Sequence, residues 1–112
     1  MKPLSINEAL DQLDQLAGRD ISLLGIFCFE FEDVSLYHHP KGVRRPGYSS
    51  SIWLSTGTGS IGFDSRACER LHGKLVLVEG TLIKPDPYFG GCGHMSLWPA
   101  EIIGRSLQRP VS

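Results

Sequence analysis

The chain has little of three features that mark whole classes of protein: cysteine, excess charge of one sign, and long apolar runs. Its three cysteines, Cys28, Cys68 and Cys92, are odd in number and widely spaced, which argues against a disulfide framework and favours a reducing cytoplasm. A formal net charge of −1 argues against a protein that neutralises many phosphates, because such domains carry a basic excess. Without a long apolar run, we expect neither a secretory signal nor a membrane span.

What is present is ordinary globular composition with many turn residues. The chain has 112 residues, of which 41% are hydrophobic and 21% charged, and this composition predicts one domain over residues 1–112. Thirteen glycines and seven prolines predict many turns. We therefore expect a fold that is mainly β.

The first segment predicts an amphipathic helix over about residues 5–17. Ser5 and Glu8 form an S-x-x-E capping box, in which each residue satisfies a free backbone N–H at the helix start. Apolar residues then recur at helical spacing on one face, and Gly18 ends the pattern. Because a short helix is not stable alone in water, this one must pack on an apolar surface. We expect it to lie as a lid over an outer apolar strip, such as the one that includes Leu75.

Alternation of apolar and polar residues predicts five strands, and a cap at Asp64 or Ser65 with Gly73 as the end predicts one short helix. The strands are residues 21–37, 51–55, 60–63, 74–83 and 95–107, and the short helix is residues 64–71. Gly25 indicates a bend or a bulge in the first strand, and Pro99 a bulge or an edge position in the last. Residues 56–59 are a predicted turn, so the second and third strands should form a hairpin.

This order of elements resembles the OB fold over about residues 20–107, with a helix between the third and fourth strands. Residues 71–82 resemble the passage from that helix into the fourth strand. Tyr37 and Ser51–Ser55, together with Gly93-His94-Met95, are also similar to a set of small uncharacterised bacterial OB-like proteins. The resemblance implies a five-stranded OB-type barrel with an added N-terminal helix. An SH3-like barrel is the alternative.

OB-type barrels bind ligands on the face of the second and third strands and in the loops that join strands one to two and four to five. By chain order, those loops are residues 38–50 and 84–94, the two longest irregular segments. The prediction is a binding edge formed by both loops, and the alternative is that they only cover the ends of the barrel. The candidate ligand-binding residues are His38, His39, Lys41, Arg44, Arg45, Tyr48, Trp53, Tyr88, Phe89 and His94.

Two functional hypotheses concern binding. The first is a non-catalytic module for an unknown protein or small molecule, without a cofactor, as a monomer or a homodimer and without membrane contact. It is favoured because no complete catalytic set is visible and the net charge is near zero. The second is a binder of single-stranded nucleic acid, in which Arg44 and Arg45 meet the backbone while Tyr48 and Trp53 stack on bases. The second is weaker, because a few cations in one loop are more typical of a solvated surface.

A third hypothesis is a metal site or an enzyme built on His38, His39, Cys92 and His94. Imidazole and thiolate are zinc ligands, and these four groups meet only if the two loops converge. Adjacent histidines on an extended backbone point to opposite sides, so their spacing is poor for a shared metal. A nucleophile made of Cys92 and His94 lacks a partner that would orient the base.

Two environments are possible for the Trp53 side chain, exposed to solvent or covered by another segment of the chain. If Ile52 and Leu54 face the core, alternation places Trp53 on the outer face with Ser51 and Ser55. There it would be a stacking platform or an interface anchor. The interpretation that we favour is that the N-terminal helix or the chain tail covers it.

Overall fold

The computed structural model describes residues 2–56 and 62–111, and these residues are mainly β, as predicted. The strands are β1 Leu4–Ser5, β2 Asp20–Glu30, β3 Asp33–Tyr37, β4 Ser51–Ser55, β5 Leu75–Ile83 and β6 Glu101–Gln108. The helices are α1 Ile6–Asp11, α2 Leu13–Leu16 and α3 Ser65–Leu71, and short 3-10 turns cover Lys41–Val43 and His94–Ser96.

The six described strands form one sheet that closes in a ring. Hydrogen-bonded neighbours follow the order β1-β2-β3-β4-β6-β5, and β5 pairs back with β2. The pairs β1–β2 and β4–β6 are parallel, and the other pairs are antiparallel. Five strands, β2 to β6, therefore complete the ring, and β1 is added beside β2 at Leu23 and Leu24.

The prediction of one strand over residues 21–37 is wrong, because the structure divides this segment into the hairpin β2–β3. Glu30 pairs with Asp33, so Phe31 and Glu32 make the turn. Glu32 has a φ of 63°, a left-handed backbone that glycine or asparagine usually supplies at such a position. The sequence carries a signal for this turn, because the phenylalanines occupy odd positions up to Phe31 and the aliphatic residues even positions from Val34, so the alternation changes phase at Glu32-Asp33.

Half of the predicted third strand, residues 60–63, lies outside the described residues, as does most of the turn before it. Gly62 and Phe63 are described, and neither lies in a strand. The predicted second strand is β4, and it pairs with β3 on one side and with β6 on the other. The ring has five strands because the segment predicted as one strand supplies two of them, β2 and β3.

The last predicted strand begins later than expected, at Glu101 instead of residue 95. Pro99 precedes the strand, and the bulge lies between Glu79 and Gly80 of β5. Two long connections result. The first loop, residues 38–50, joins β3 to β4, and the second loop, residues 84–100, joins β5 to β6.

The predicted short helix and the strand after it are confirmed as α3 and β5. The Asp64 carboxylate accepts a hydrogen bond of 3.1 Å from the backbone N–H of Ala67 and so caps α3. Gly73, with a φ of 79°, follows the helix in the left-handed conformation that ends many helices. The capping box is also present: the Ser5 hydroxyl accepts from the Glu8 amide at 3.1 Å, and the Ser5 amide donates to the Glu8 carboxylate at 2.9 Å.

The N-terminal helix packs into the core instead of covering an outer strip. Ile6 and Ala9 of α1 are fully buried, whereas Leu75 stays 41% exposed, so the expected lid is wrong. A Cβ built on Gly25 of β2 would lie 2.9 Å from Ile6 Cδ1 and 3.1 Å from Leu36 Cβ. The Ile6 side chain therefore packs against the inner face of β2 at Gly25, where there is no side chain in its way. The other fully buried core side chains include Leu23, Phe27, Ile52, Val76, Val78, Leu82 and Ile102.

Candidate ligand-binding site

The outer face of β3 and β4 is polar and aromatic, yet it is shielded from solvent. Ser35 and Tyr37 of β3 lie opposite Trp53 and Ser51 of β4. Both serines are fully buried, and only 5% of Tyr37 is exposed. The first and second loops supply the cover, and the candidate site lies where the first loop crosses this face.

The two loops meet in a row of three aromatic rings. The Tyr48 ring of the first loop lies 4.3 Å from the Trp98 ring of the second loop, centroid to centroid. Trp98 in turn lies 4.7 Å from Trp53 on β4. A Cβ on Gly93 would come within 2.5 Å of the Trp53 indole, so the backbone of the second loop rests directly on that ring. Trp53 is therefore half-buried, and the second loop covers it, not the N-terminal helix or the chain tail.

Trp98 is the central residue of this row, and the sequence analysis did not single it out. Only 1% of its surface is exposed. Trp98 and Cys92 exchange backbone hydrogen bonds of 2.8 and 3.0 Å, which close the second loop on itself. In the sequence, Trp98 is an aromatic residue between a glycine-rich segment and a proline. This pattern is as typical of an exposed loop residue as of a buried one, so it does not single out Trp98.

The first loop is tied down at both ends and at its side. The His38 amide donates to the Ser50 carbonyl at 2.9 Å, and the Ser51 hydroxyl donates to the Tyr48 carbonyl at 2.6 Å. The Nδ1 atom of His38 accepts a hydrogen bond of 3.2 Å from the Asn7 amide in α1. His38 therefore has a structural partner, and the loop keeps a defined shape.

Arg44 lies flat on a tyrosine ring that is itself fixed. Its guanidinium carbon is 3.6 Å from the centroid of the Tyr37 ring, and its Nε donates to the His39 carbonyl at 3.3 Å. The Tyr37 hydroxyl donates to the Asp33 carboxylate at 2.6 Å. Burial, together with Asp33, raises the pKa of Tyr37. Tyr37 thus stays neutral and acts as a rigid platform for the cation.

Above this platform lies a cavity of about 410 Å³. Its lining residues are Tyr37, His39, Val43, Arg44, Arg45, Gly47, Ser49 and Ser50. Three of the predicted ligand-binding residues, His39, Arg44 and Arg45, line it, and no carboxylate does. The other predicted residues are elsewhere: Tyr48 and Trp53 belong to the aromatic row, and the remaining ones lie outside the lining.

The carboxylates near the cavity already have partners. Glu30 lies 3.5 Å from the Lys41 ammonium group and 3.6 Å from Nε2 of His72. Asp33 accepts hydrogen bonds from the hydroxyls of Ser35 and Tyr37. Lys41 is therefore directed to Glu30, and the cations that line the cavity are those of Arg44 and Arg45.

Within residues 2–56 and 62–111, one group of three residues could hold a metal ion, with the ligand atoms of Cys28, Glu30 and His72 within 4.8 Å of one another. Nδ1 of His72, however, accepts a hydrogen bond of 2.9 Å from the Phe29 amide. The proton of the neutral ring is then on Nε2, so neither nitrogen offers a lone pair to a metal. These residues do not fit a metal site.

The four metal candidates from the sequence analysis do not converge. In the described part of the chain, no three of His38, His39, Cys92 and His94 form a ligand group. Nε2 of His94 lies 3.3 Å from the carboxylate of Glu32, which links the second loop to the β2–β3 turn. Cys92 is buried, and burial raises its pKa to about 11. Cys92 and His94 therefore hold structural positions in the second loop.

The tip of the second loop carries the most exposed aromatic pair. Tyr88 is 88% exposed and Phe89 is 66% exposed, with ring centroids 5.2 Å apart. A separate depression beside them has a volume of about 540 Å³ and is more open to solvent. Its lining carries both signs of charge, with Lys84, Asp86 and Glu101. The first-loop cavity is the better defined of the two.

The comparisons with known proteins give no family: no model of a known protein family matches the chain, and no curated protein matches it. None of the helices in the described residues is long and apolar enough to cross a membrane. The cysteines Cys28, Cys68 and Cys92 are all free and buried. The site is therefore interpreted from its own geometry.

Proposed function

We propose that this chain is a non-catalytic, OB-type binding module of a reducing cytoplasm, which holds a small molecule in the first-loop cavity. One observation carries the proposal: the cavity of about 410 Å³ is walled by the fixed pair Tyr37 and Arg44. Small-molecule sites are concave, largely preformed and roughly 300–1,000 Å³ in volume. A wall that needs no rearrangement lowers the entropic cost of binding.

The order of elements in the ring supports the OB part of the proposal. Along the chain, the ring strands are β2, β3, β4, β5 and β6, with α3 between the third and the fourth of them. The first ring strand pairs with the fourth and so closes the ring. The cavity lies at the second ring strand and at the loop that leads to the third, close to the face that OB barrels use for ligands.

The cover over β3 and β4 favours a small molecule over an extended polymer or a protein. An OB-type strand face binds nucleic acid through exposed aromatic platforms. Here Trp98 and Gly93 cover Trp53, and Tyr37 carries Arg44. The concave opening of the first loop is what remains accessible on this face.

The state of the candidate nucleophiles supports binding instead of catalysis. Burial raises the pKa of Cys28 to about 12 and that of Cys92 to about 11, so both thiols are protonated at neutral pH. A protonated thiol is a poor nucleophile. The hydroxyl of Tyr37, a lining residue, already donates a hydrogen bond to Asp33.

A fragment screen by ¹H–¹⁵N NMR tests the proposal. We expect hits to shift the amide signals of Gly47, Ser49 and Ser50, which line the cavity. The variant Ser49→Trp should abolish these shifts because it fills the cavity. The matched control Gln15→Trp, at an exposed position outside the lining, should leave them unchanged. The proposal fails if no fragment perturbs the cavity, or if Ser49→Trp leaves all binding intact.

Single-stranded nucleic acid is the second candidate, and the exposed pair Tyr88 and Phe89 favours it. Bases stack on such rings, and that contact is worth about 1–3 kcal/mol per base. Titration of a labelled oligonucleotide over a salt series separates this candidate from the first. Binding that strengthens at low salt and is lost in the double variant Tyr88→Ala, Phe89→Ala supports it. The absence of binding at low salt contradicts it.

A further inference from the structure

We propose that the first-loop cavity recognises a phosphomonoester group of a small molecule, with Arg44 and Arg45 as its cationic contacts. This inference rests on the proposed small-molecule site and adds the chemical class of its ligand. The lining residues include two arginines, one histidine and two serines, and none of them is acidic. A cavity with two cationic residues and no carboxylate favours an anion.

Arg44 is held in place before any ligand arrives. Its guanidinium stacks on Tyr37 at 3.6 Å, and its Nε is hydrogen-bonded to the His39 carbonyl. Among the described residues, its terminal nitrogens have no hydrogen bond and no carboxylate partner. Two donors on one rigid plane can therefore bind two oxygens of one anion side by side, which is the geometry that guanidinium gives to phosphate.

Arg45 supplies a second positive charge, and its side chain has no ion-pair partner among the described residues. No hydrogen bond joins its side chain to any residue that the structure describes. Glu30 and Asp33 make their contacts elsewhere, Glu30 with Lys41 and Asp33 with the hydroxyls of Ser35 and Tyr37. Arg45 lines the same cavity as Arg44, and two cations beside one cavity favour the binding of an anion there.

The number of donors favours a phosphomonoester over a carboxylate. Two arginines and two serines line the cavity, and their side chains carry more hydrogen-bond donors than the two oxygens of a carboxylate can accept. A phosphomonoester presents three terminal oxygens and a charge of about −1.5 to −2 at pH 7. The lining also includes Val43, an exposed apolar side chain that suits the organic part of the ester.

Isothermal titration calorimetry with four probes tests this inference: phenyl phosphate, inorganic phosphate, benzoate and phenol. We expect phenyl phosphate to bind at least about tenfold more tightly than each of the others, because phenol lacks the charge, benzoate offers two oxygens instead of three, and inorganic phosphate lacks the apolar ring. Arg45→Ala and Arg44→Lys should each weaken phenyl phosphate about tenfold, the latter because lysine keeps the charge but loses the planar fork. Arg19→Ala removes an exposed charge outside the lining and should change nothing.

The outcomes separate this inference from the proposed function. Phenol or benzoate binding as tightly as phenyl phosphate overturns the phosphate assignment, whereas cavity binding of neutral fragments still supports the small-molecule site. If inorganic phosphate binds as tightly as phenyl phosphate, the organic group adds nothing to binding, and the assignment of a phosphomonoester is overturned. A 5′-phosphorylated oligonucleotide that binds far more tightly than phenyl phosphate, with a steep salt dependence, would assign the site to nucleic acid and overturn the inference. Arg45 is exposed, so Arg45→Ala remains a valid test even if an Arg44 variant unfolds.

Discussion

The ring of Tyr48 lies 4.3 Å from the ring of Trp98, and this contact joins the two long loops of the fold. Trp98 also packs on Trp53, so the three rings run from the first loop to the outer face of β4. The loop that bears Tyr48 also forms the candidate cavity. The stability of the second loop and the shape of the cavity are therefore linked through one tryptophan.

Trp98→Ala should destabilise the protein by about 3–5 kcal/mol, the usual cost of removing a large buried aromatic side chain. It should also shift the fluorescence of the remaining tryptophan, Trp53, to the red, because Trp53 loses its cover. Urea unfolding and emission spectra measure the two effects. Tyr88→Ala is the control: Tyr88 is 88% exposed, and its loss should change stability by less than about 0.5 kcal/mol. Equal effects of the two variants would contradict the proposed cover.

Gly25→Ala should destabilise the protein by about 1–3 kcal/mol, the usual cost of overpacking a core. The new methyl group would lie 2.9 Å from Ile6 Cδ1. Gly42→Ala, where a Cβ meets nothing within 4 Å, is the matched control. In a double-mutant cycle of chemical unfolding, Ile6→Ala should recover part of the Gly25→Ala loss. Strict additivity would show that Ile6 does not occupy this space.

Acid should destabilise the fold through Glu8 and Asp20. The Ser5 backbone amide lowers the pKa of Glu8, and the hydroxyl of Thr81, followed by Arg105, lowers that of Asp20. Each carboxyl thus binds its proton less readily in the folded state than in the unfolded state. Their contribution is present above the unfolded pKa of about 4 and is lost as pH falls through the lowered folded value.

Thermal melts between pH 6 and pH 3 measure this effect, with Glu8→Gln and Asp20→Asn as variants. Each variant should show a shallower decline in Tm below about pH 4 than the parent protein does. Asp14→Asn, at an exposed carboxylate of α2 that is not in the capping box, is the control and should leave the slope unchanged. An unchanged slope in the Glu8 and Asp20 variants would contradict the prediction.

The cysteines should be unreactive in the native protein. Burial raises the pKa of Cys28 to about 12, that of Cys92 to about 11, and that of Cys68 in the same direction. At pH 8, alkylation by iodoacetamide should therefore be on the order of 100-fold slower in the folded protein than in urea. Mass spectrometry of timed samples measures the rates. A thiol that reacts equally fast in both conditions would show that its burial is wrong.

Much of the local structure could be predicted from the sequence, because it depends on residues a few positions apart. The capping box of Ser5 and Glu8 is an interaction within one helical turn, and Asp64 caps α3 in the same way. The alternation of β5 follows from burial of one side of a single strand. Three cavity residues, His39, Arg44 and Arg45, were among the candidates because a long loop with cations is visible without a fold.

The tertiary structure alone decided how these segments meet. Glu32 makes a turn in a left-handed conformation that its side chain does not favour, and the pairing of β2 with β3 holds it there. The sequence around Gly25 predicts a bend or a bulge in the strand. In the structure, the absence of a side chain at Gly25 leaves room for Ile6, which belongs to α1. Trp98 covers Trp53 across 45 positions of sequence, and no local pattern encodes that contact. Short-range hydrogen bonds and periodicity depend on residues that are close in sequence, so they can be predicted from it. Side-chain packing depends on surfaces that come together only when the ring closes, so it cannot.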